Sequence, residues 1–291
     1  MAKAAEMDFP DLSAPANLDV AWIHGSPAAK YNTDPDIQVH AYNEHTYILR
    51  QNMAVHYEAP FMFLLFGEST ALLLDTGATE DPRFFPLRRT VDAIIDRWLA
   101  EHPHPGDYGL VVLHTHSHSD HIAADGQFAG RPNTVTVGAR RDAAWPYFGF
   151  TDEPDLVAQV DLGGRVLDCL ATPGHHDAAV TYYDRYSGIL FTGDTIYPGR
   201  LYVSDWPQFA GSIDRLVAWC ARRPVTHVVG CHIEMTTEPG MDYPVGWSYQ
   251  PDEPPLELTT AHLRQIQATL KAHDLQPGRY VLPQMIITPV G

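Results

Sequence analysis

The stretch Thr115-His116-Ser117-His118-Ser119-Asp120-His121 places three imidazoles and one carboxylate within six positions. It follows residues 110–113, a short apolar run that is typical of a buried strand. Imidazole nitrogens and carboxylate oxygens are the ligands that zinc and related divalent ions bind. The stretch therefore predicts a metal site at the carboxyl end of a buried strand.

Three further candidate ligands, His175, Asp194 and His232, also come after apolar runs that are predicted to be strands. Each of them, taken singly, is more often an ordinary polar residue than a ligand. Their recurrence at the ends of successive strands instead favours one shared metal site.

Two neighbours of these residues are predicted to stay outside the ligand set. Gly174 allows a sharp backbone turn that brings His175 inward, so His176 is expected to project differently. Cys231 lies beside a ligand, and we interpret it as a small buried residue rather than as a ligand.

Composition restricts the class of protein. A chain of 291 residues can bury a substantial core, and no apolar run approaches the roughly 20 residues that a membrane span needs. The net charge of −17 argues against nucleic acid as a partner. Three widely spaced cysteines fit no disulfide framework, and the first twenty residues lack the apolar core of a secretory signal. We therefore expect a cytoplasmic protein that acts on a small molecule, without membrane or nucleic acid.

The order of predicted elements alternates strands and helices. Residues 37–75 predict a series of strands that ends in a hairpin with its turn at 67–69. Further strands are predicted at residues 134–137, 157–161, 165–170, 180–183, 189–192 and 226–230, and helices at 91–100, 209–221 and 256–273. A Pro/Gly-rich segment spans residues 239–255.

The seven candidate ligands, in this order, resemble the metallo-β-lactamase superfamily, in which an HxHxDH stretch precedes a later His, an Asp and a final His. The resemblance covers residues 37–232 and includes Asp75-Thr76-Gly77 after a hairpin. It implies an α/β fold, a four-layer αβ/βα sandwich with the metals in a cleft along one edge of the sheets. We expect one domain over residues 1–291, with a loop-plus-helix extension at 233–291.

The resemblance also assigns the ligands to two divalent ions, with zinc expected first and iron or manganese as alternatives. By that resemblance, His116, His118 and His175 hold one ion, Asp120, His121 and His232 hold the other, and Asp194 bridges them. Such a pair lowers the pKa of a shared water and supplies a bridging hydroxide near pH 7. Asp120 is expected to orient this nucleophile and to move its proton.

Residues after the bridging position indicate the type of bond that is cleaved. By the resemblance, true β-lactamases usually carry Cys or Ser where this chain has Asp194, which disfavours that activity. Tyr197 lies where similar lactonases have a tyrosine that bonds the substrate carbonyl. Gly199-Arg200-Leu201-Tyr202 instead resembles glyoxalase II and makes Arg200 a candidate substrate-binding residue. We expect cleavage of a carboxylic ester or lactone, with a thioester as the alternative.

Two other classes remain open on the same scaffold: a mononuclear iron sulfur dioxygenase and a non-catalytic binding module. The complete set of seven ligands favours a hydrolase over both.

The segment 239–255 carries Tyr243 and Trp247 on a backbone stiffened by proline. We predict that these aromatic side chains line the substrate pocket, and a homodimer contact is the alternative.

Overall fold

Two six-stranded sheets packed face to face form the centre of the computed structural model, which describes residues 7–12, 18–151 and 156–290. The strands of the first sheet follow one another in space as they do in the chain: β1 Ile37–Asn43, β2 Thr46–Gln51, β3 Phe61–Phe66, β4 Thr70–Leu74, β5 Gly109–Leu113 and β6 Thr134–Thr136. The first four are antiparallel neighbours, and β4, β5 and β6 are parallel.

The remaining strands build the second sheet and a small third sheet. They are β7 Val157–Asp161, β8 Val166–Ala171, β9 Val180–Asp184, β10 Ile189–Gly193, β11 Arg200–Val203, β12 His227–Gly230, β13 Glu257–Leu258, β14 Tyr280–Val281 and β15 Ile286–Pro289. The second sheet has the order β13-β12-β10-β9-β8-β7, and the third has the order β11-β15-β14.

Helices lie between and outside these strands. They are α1 Leu87–Glu101, α2 Ser119–Ile122, α3 Arg141–Phe148, α4 Trp206–Cys220 and α5 Thr260–Ala272, with short 3-10 turns at Ala29–Tyr31 and Asp125–Phe128. None of the helices in the described residues has both the length and the apolar content that crossing a bilayer requires.

Strand β3 shows how the sequence sets the layers, because successive side chains of a strand point to opposite faces. Phe61, Phe63 and Leu65 pack in the core between the two large sheets. Met62 and Leu64 pack on the opposite face, in the core that α1 shares with the first sheet. An uninterrupted apolar run is therefore required, since both faces of this strand are buried.

Helices cover the outer faces of both sheets. The buried residues of α1 recur at helical spacing: Leu87, Val91, Ile94, Ile95 and Trp98. Helices α4 and α5 pack together over the second sheet and share its outer core. This arrangement confirms the predicted four-layer αβ/βα sandwich.

The sequence predicted most elements but not all of them. Helix α1 begins four residues before the predicted start, and α3 and the third sheet were not predicted. The segment 233–291 contributes strands as well as a loop and a helix, because β13 pairs with β12 and β15 pairs with β11. The stretch before Pro35 is rich in Pro, Ala and Asp and is predicted to run over the surface, and its residues 1–6 and 13–17 lie outside the described residues.

A buried ion pair joins the two large sheets. The Arg165 guanidinium donates to both carboxylate oxygens of Asp184, over 3.0 and 2.6 Å. It also donates to the carbonyls of His45 and Phe66 and to Thr46 Oγ1, which belong to the first sheet and its first turn. Both charged side chains are fully buried.

We expect Arg165→Met to lower the free energy of unfolding by about 3–5 kcal/mol, because it leaves the Asp184 carboxylate buried without its cation. Urea unfolding followed by circular dichroism measures this. The matched control is Arg83→Met, which removes an exposed arginine paired with Asp81 and should leave the unfolding midpoint unchanged. Equal midpoints for the two variants would contradict a stabilising role for the inter-sheet pair.

Candidate metal centre

The carboxyl ends of four strands bring all seven predicted ligands together. Their ligand atoms form two groups, and within each group these atoms lie within 4.8 Å of one another. The first group consists of His116, His118 and His175, and the second of Asp120, His121, Asp194 and His232. His118 is exposed whereas most of the others are buried, so the cluster opens to solvent on one side.

Two glycines allow the close approaches that this convergence needs. Gly174 has a φ of +146°, and a Cβ at this position would lie 2.4 Å from the Phe209 Cα of α4. Gly193 has a φ of +52°, and a Cβ there would lie 2.5 Å from the Thr115 Cβ. Larger residues at these positions would displace the turns that carry His175 and Asp194.

The Asp194 carboxylate lies between the two groups. Its Oδ2 is 4.0 Å from His116 Nε2, 3.7 Å from His175 Nε2 and 3.5 Å from His121 Nε2. Its Oδ1 is 3.4 Å from His232 Nε2 but accepts no hydrogen bond, although it is buried. A buried carboxylate oxygen without a hydrogen bond fits a site for a cation.

Hydrogen bonds on the outer side of three imidazoles fix which nitrogen faces the cluster. The Nδ1 atoms of His175 and His232 lie 2.7 and 3.0 Å from the carbonyls of Tyr202 and Glu58. His121 Nδ1 lies 2.9 Å from Asp75 Oδ2. Because these oxygens only accept, the Nδ1 atoms donate, and in a neutral ring Nε2 is then free to bind metal.

The first group consists of imidazoles in the form that binds metal. Burial lowers the pKa of His116 well below its usual value and also lowers the pKa values of His118 and His175. His118 Nδ1 lies 2.9 Å from His116 Nε2 and 3.0 Å from His175 Nε2. Three neutral ring nitrogens that converge in this way suit one divalent ion.

The second group attracts positive charge. Burial alone would lower the pKa of His232, but the carboxylates of Asp194 and Asp120 raise it to about 9. Burial would raise the pKa of Asp194, yet the charges of His232 and His121 lower it to about 2. Two ionised carboxylates among these imidazoles fit a second divalent ion, so the residues of both groups fit the metals that the family implies.

Asp75 is a functional residue that the sequence analysis did not assign to the site. Its carboxylate accepts hydrogen bonds from the Thr115 backbone N–H, the Thr115 hydroxyl, His121 Nδ1 and the Cys231 thiol. Asp75 has a φ of +65°, an unusual backbone conformation for a residue other than glycine. The one signal in the sequence was Asp75-Thr76-Gly77 at the end of a strand.

Cys231 and His176 lie beside the ligands. The Cys231 thiol is buried, donates to Asp75 Oδ2 over 3.3 Å and has a pKa raised well above its usual value by burial. His176 Nε2 lies 3.0 Å from the Ser117 hydroxyl, and His176 is in neither of the two groups of ligands.

A cavity of about 420 Å³ opens beside the two groups. Its wall consists of Glu58, His118, Asp120, His175, Asp194, Tyr197, Tyr202, Ser204, His232, Glu234 and Val290. Glu58, Ser204, Glu234 and Val290 were not predicted, because nothing in their local sequence marks them as residues of a site. Tyr202 was noted in the sequence only as the last residue of the Gly-Arg-Leu-Tyr stretch, without a predicted role.

Tyr197 lies in the cavity wall but is almost fully buried. Its hydroxyl donates to the Arg200 carbonyl oxygen, and burial raises its pKa well above the usual value. The contact of Tyr197 with a substrate carbonyl stays a prediction.

The other three predicted substrate residues lie outside this cavity wall. Arg200 is paired with Glu234 and Asp242. The Tyr243 hydroxyl accepts a hydrogen bond from the Asp252 backbone N–H, and Trp247 is 52% exposed. Contact of Arg200, Tyr243 and Trp247 with a substrate stays a prediction.

Curated relatives match this chain over part of its sequence. The hydroxyacylglutathione hydrolase of Synechococcus sp. (strain JA-3-3Ab) is 32% identical over 172 residues, which cover 55% of this chain and 62% of the relative. The protein of the same name from Acidiphilium cryptum (strain JF-5) is 35% identical over 111 residues, which cover 37% of this chain and 44% of the relative. The match thus spans about three fifths or less of these relatives.

Solved structures share the fold at low sequence identity. A metallo-beta-lactamase from Pontibacter korlensis has a TM-score of 0.51 at 17% identity and covers 81% of this chain and 99% of its own. The DIM-1 metallo-beta-lactamase has a TM-score of 0.53 at 13% identity, and the match covers 83% of this chain and 100% of that structure's chain.

Family membership is shown by a sequence match over most of the chain. Residues 58–278 match the family model described as the metallo-beta-lactamase superfamily, and this range contains all seven residues of the two groups. The chain therefore belongs to the metallo-beta-lactamase superfamily.

Proposed function

We propose that this protein is a metal-dependent hydrolase that cleaves a carboxylic ester or a lactone. The observation that carries the proposal is the pair of ligand groups at the wall of an open cavity, with the Asp194 carboxylate lying between them. Cleavage of a thioester is the second candidate, and the name hydroxyacylglutathione hydrolase carried by the relatives supports it.

The proposed cofactors are two divalent ions, with zinc preferred over iron or manganese. His116, His118 and His175 would hold one ion, Asp120, His121 and His232 the other, and Asp194 would contact both. Bound divalent ions lower the pKa of water and polarise a carbonyl under attack.

Asp120 is the residue proposed to handle the proton of the attacking water. Its Oδ2 lies 3.2 Å from both His121 Nε2 and His232 Nε2. Burial opposes ionisation, but the positive charges of His121 and His232 lower the pKa of Asp120 far below its usual value. The carboxylate is thus ionised, and Oδ1 is the atom left to accept a hydrogen bond from water at the cavity wall.

The cavity wall supports an ester or lactone over a glutathione thioester. Among the described residues, no lysine or arginine lines it, whereas glutathione carries two carboxylates. The complete set of seven ligands also supports a hydrolase over a mononuclear dioxygenase.

A cytoplasmic location, a homodimer and a role for Tyr243 and Trp247 in the pocket are further proposals. Rates on matched lactones, aryl esters and thioesters test the assignment.

We expect His118→Ala to abolish hydrolysis of every substrate and to lower the bound metal from about two ions to about one per chain, since it removes a ligand from one group only. Asp120→Asn should abolish hydrolysis as well. Elemental analysis and initial rates measure both effects. His104→Ala, which removes an exposed histidine outside the site, is the control. More than a few per cent of residual activity in both ligand variants would contradict the assigned roles.

A second prediction separates two roles for Tyr197. If its hydroxyl reaches a substrate carbonyl, Tyr197→Phe should lower kcat by roughly 10- to 1000-fold. If the hydroxyl serves only its bond to the Arg200 carbonyl, the variant of this buried residue should instead show a lower Tm and a nearly unchanged kcat. Such a bond contributes about 1 kcal/mol to stability.

Tyr202→Phe is the matched variant for this experiment, since Tyr202 lines the same cavity and is only half-buried. A large fall in the kcat of Tyr197→Phe at unchanged Tm would support the catalytic role of Tyr197, and a lower Tm at nearly unchanged kcat would contradict it.

A further inference from the structure

The charge of the cavity wall points to the class of substrate. We propose that the cavity selects esters whose acyl or leaving group carries a positive charge, and that Glu58 is the specificity-determining residue. This inference rests on the proposed hydrolase function and adds the charge of the substrate to it. The inference follows from three features: the position of Glu58, the pairing of Arg200 with carboxylates, and the tyrosines around the cavity.

Glu58 lies at the cavity wall beside the second ligand group. Its backbone carbonyl accepts from His232 Nδ1 over 3.0 Å, which fixes the main chain there. Its carboxylate accepts from the Tyr57 hydroxyl over 2.9 Å, and Oε2 lies 3.5 Å from His56 Nδ1. No arginine or lysine of the described residues pairs with it. The side chain is 31% exposed, so its charge is only partly screened by water.

Arg200, which pairs with the cavity residue Glu234, is already bound by carboxylates. Arg200 Nη2 donates to Glu234 Oε1 over 2.7 Å, and Nη1 donates to Asp242 Oδ2 over 3.0 Å. Its remaining bonds go to the Tyr243 carbonyl and the Tyr202 hydroxyl. Two carboxylates surround this guanidinium, so Arg200 is not free to pair with an anionic group of a substrate.

Aromatic groups accompany these carboxylates. Tyr202 lines the cavity, and Tyr57 holds Glu58 at its edge. The hydrogen bond to Glu58, together with burial and the nearby charges of Asp120 and Glu234, raises the pKa of Tyr57 to about 12, so its ring is neutral at physiological pH. Tyrosine rings beside a carboxylate are groups that recognise alkylammonium ions.

A substrate carbonyl is expected at the ligand groups, and the cationic end of the substrate then lies toward Glu58 and the two tyrosines. A glutathione thioester would place carboxylates against this wall and is disfavoured by like charge.

Binding of matched probes tests the inference without relying on turnover. Choline and 3,3-dimethylbutanol have the same shape, but only choline is charged. We expect the zinc-loaded protein to bind choline at least about 10-fold more tightly in calorimetric titrations, a difference of about 1.4 kcal/mol. Glu58→Gln should bring the two affinities close to parity, because it removes the charge and keeps the backbone carbonyl that holds His232. Rising salt should weaken the preference of the unmodified protein.

The control is Glu101→Gln, which removes the same charge from an exposed site at the end of α1 and should keep the preference for choline. Melting curves of both variants establish that they are folded. Equal affinity of the unmodified protein for the two probes, or an unchanged preference in Glu58→Gln, overturns the inference.

Hydrolysis of the two acetate esters, acetylcholine and 3,3-dimethylbutyl acetate, separates this inference from the proposed function. We expect a higher kcat/KM for acetylcholine, with the advantage lost in Glu58→Gln. Cleavage of both esters at equal rates leaves the hydrolase function standing and overturns the charge preference. Selective binding of choline without cleavage of any ester or thioester overturns the hydrolase function and leaves the charge preference standing.

Discussion

The carboxylate of Asp75 is the interaction on which the metal centre depends. It receives hydrogen bonds from Thr115, His121 and Cys231, which lie after β5, on α2 and after β12. One buried group after β4 thereby fixes its position relative to residues 115–121 and to Cys231, two segments that are distant from it and from each other in the chain. Its bond to His121 Nδ1 also leaves the opposite nitrogen facing Asp120 and Asp194. A neutral residue at position 75 would leave these donors without a strong acceptor.

Local patterns predicted the strands and the stretch of ligands at 116–121, whereas the four-layer arrangement was implied by the resemblance to a known family. The apolar run of β3 requires a strand buried on both faces, and His116, His118, Asp120 and His121 share one short stretch. The third sheet had no such signal, because it forms only when β15 reaches β11 from far along the chain. A short stretch of sequence is thus enough to predict ligands such as those at 116–121, but it is not enough to predict the pairing of two strands that are distant in the chain.

The surroundings of Tyr197 and Arg200 show why the substrate site was harder to predict. A Cβ on Gly199 or Gly230 would lie 2.2 Å from the Tyr197 ring or 2.4 Å from its Cβ, so the residue is enclosed by close backbone approaches. Arg200 belongs to a recognisable stretch, but its charge is taken up by Glu234 and Asp242 from another segment. A motif identifies a cation without showing whether that cation is available to a ligand.

The three cysteines are all free and buried, and they lie in three different parts of the fold. Cys231 lies beneath the metal centre, Cys169 lies between the two large sheets, and Cys220 lies at the end of α4. Burial raises the pKa of each thiol, to about 11 for Cys220. Protonated, enclosed thiols react only when the surrounding structure opens. The rates at which a thiol reagent labels these three residues would therefore measure, in one unmodified protein, how often each of the three regions opens.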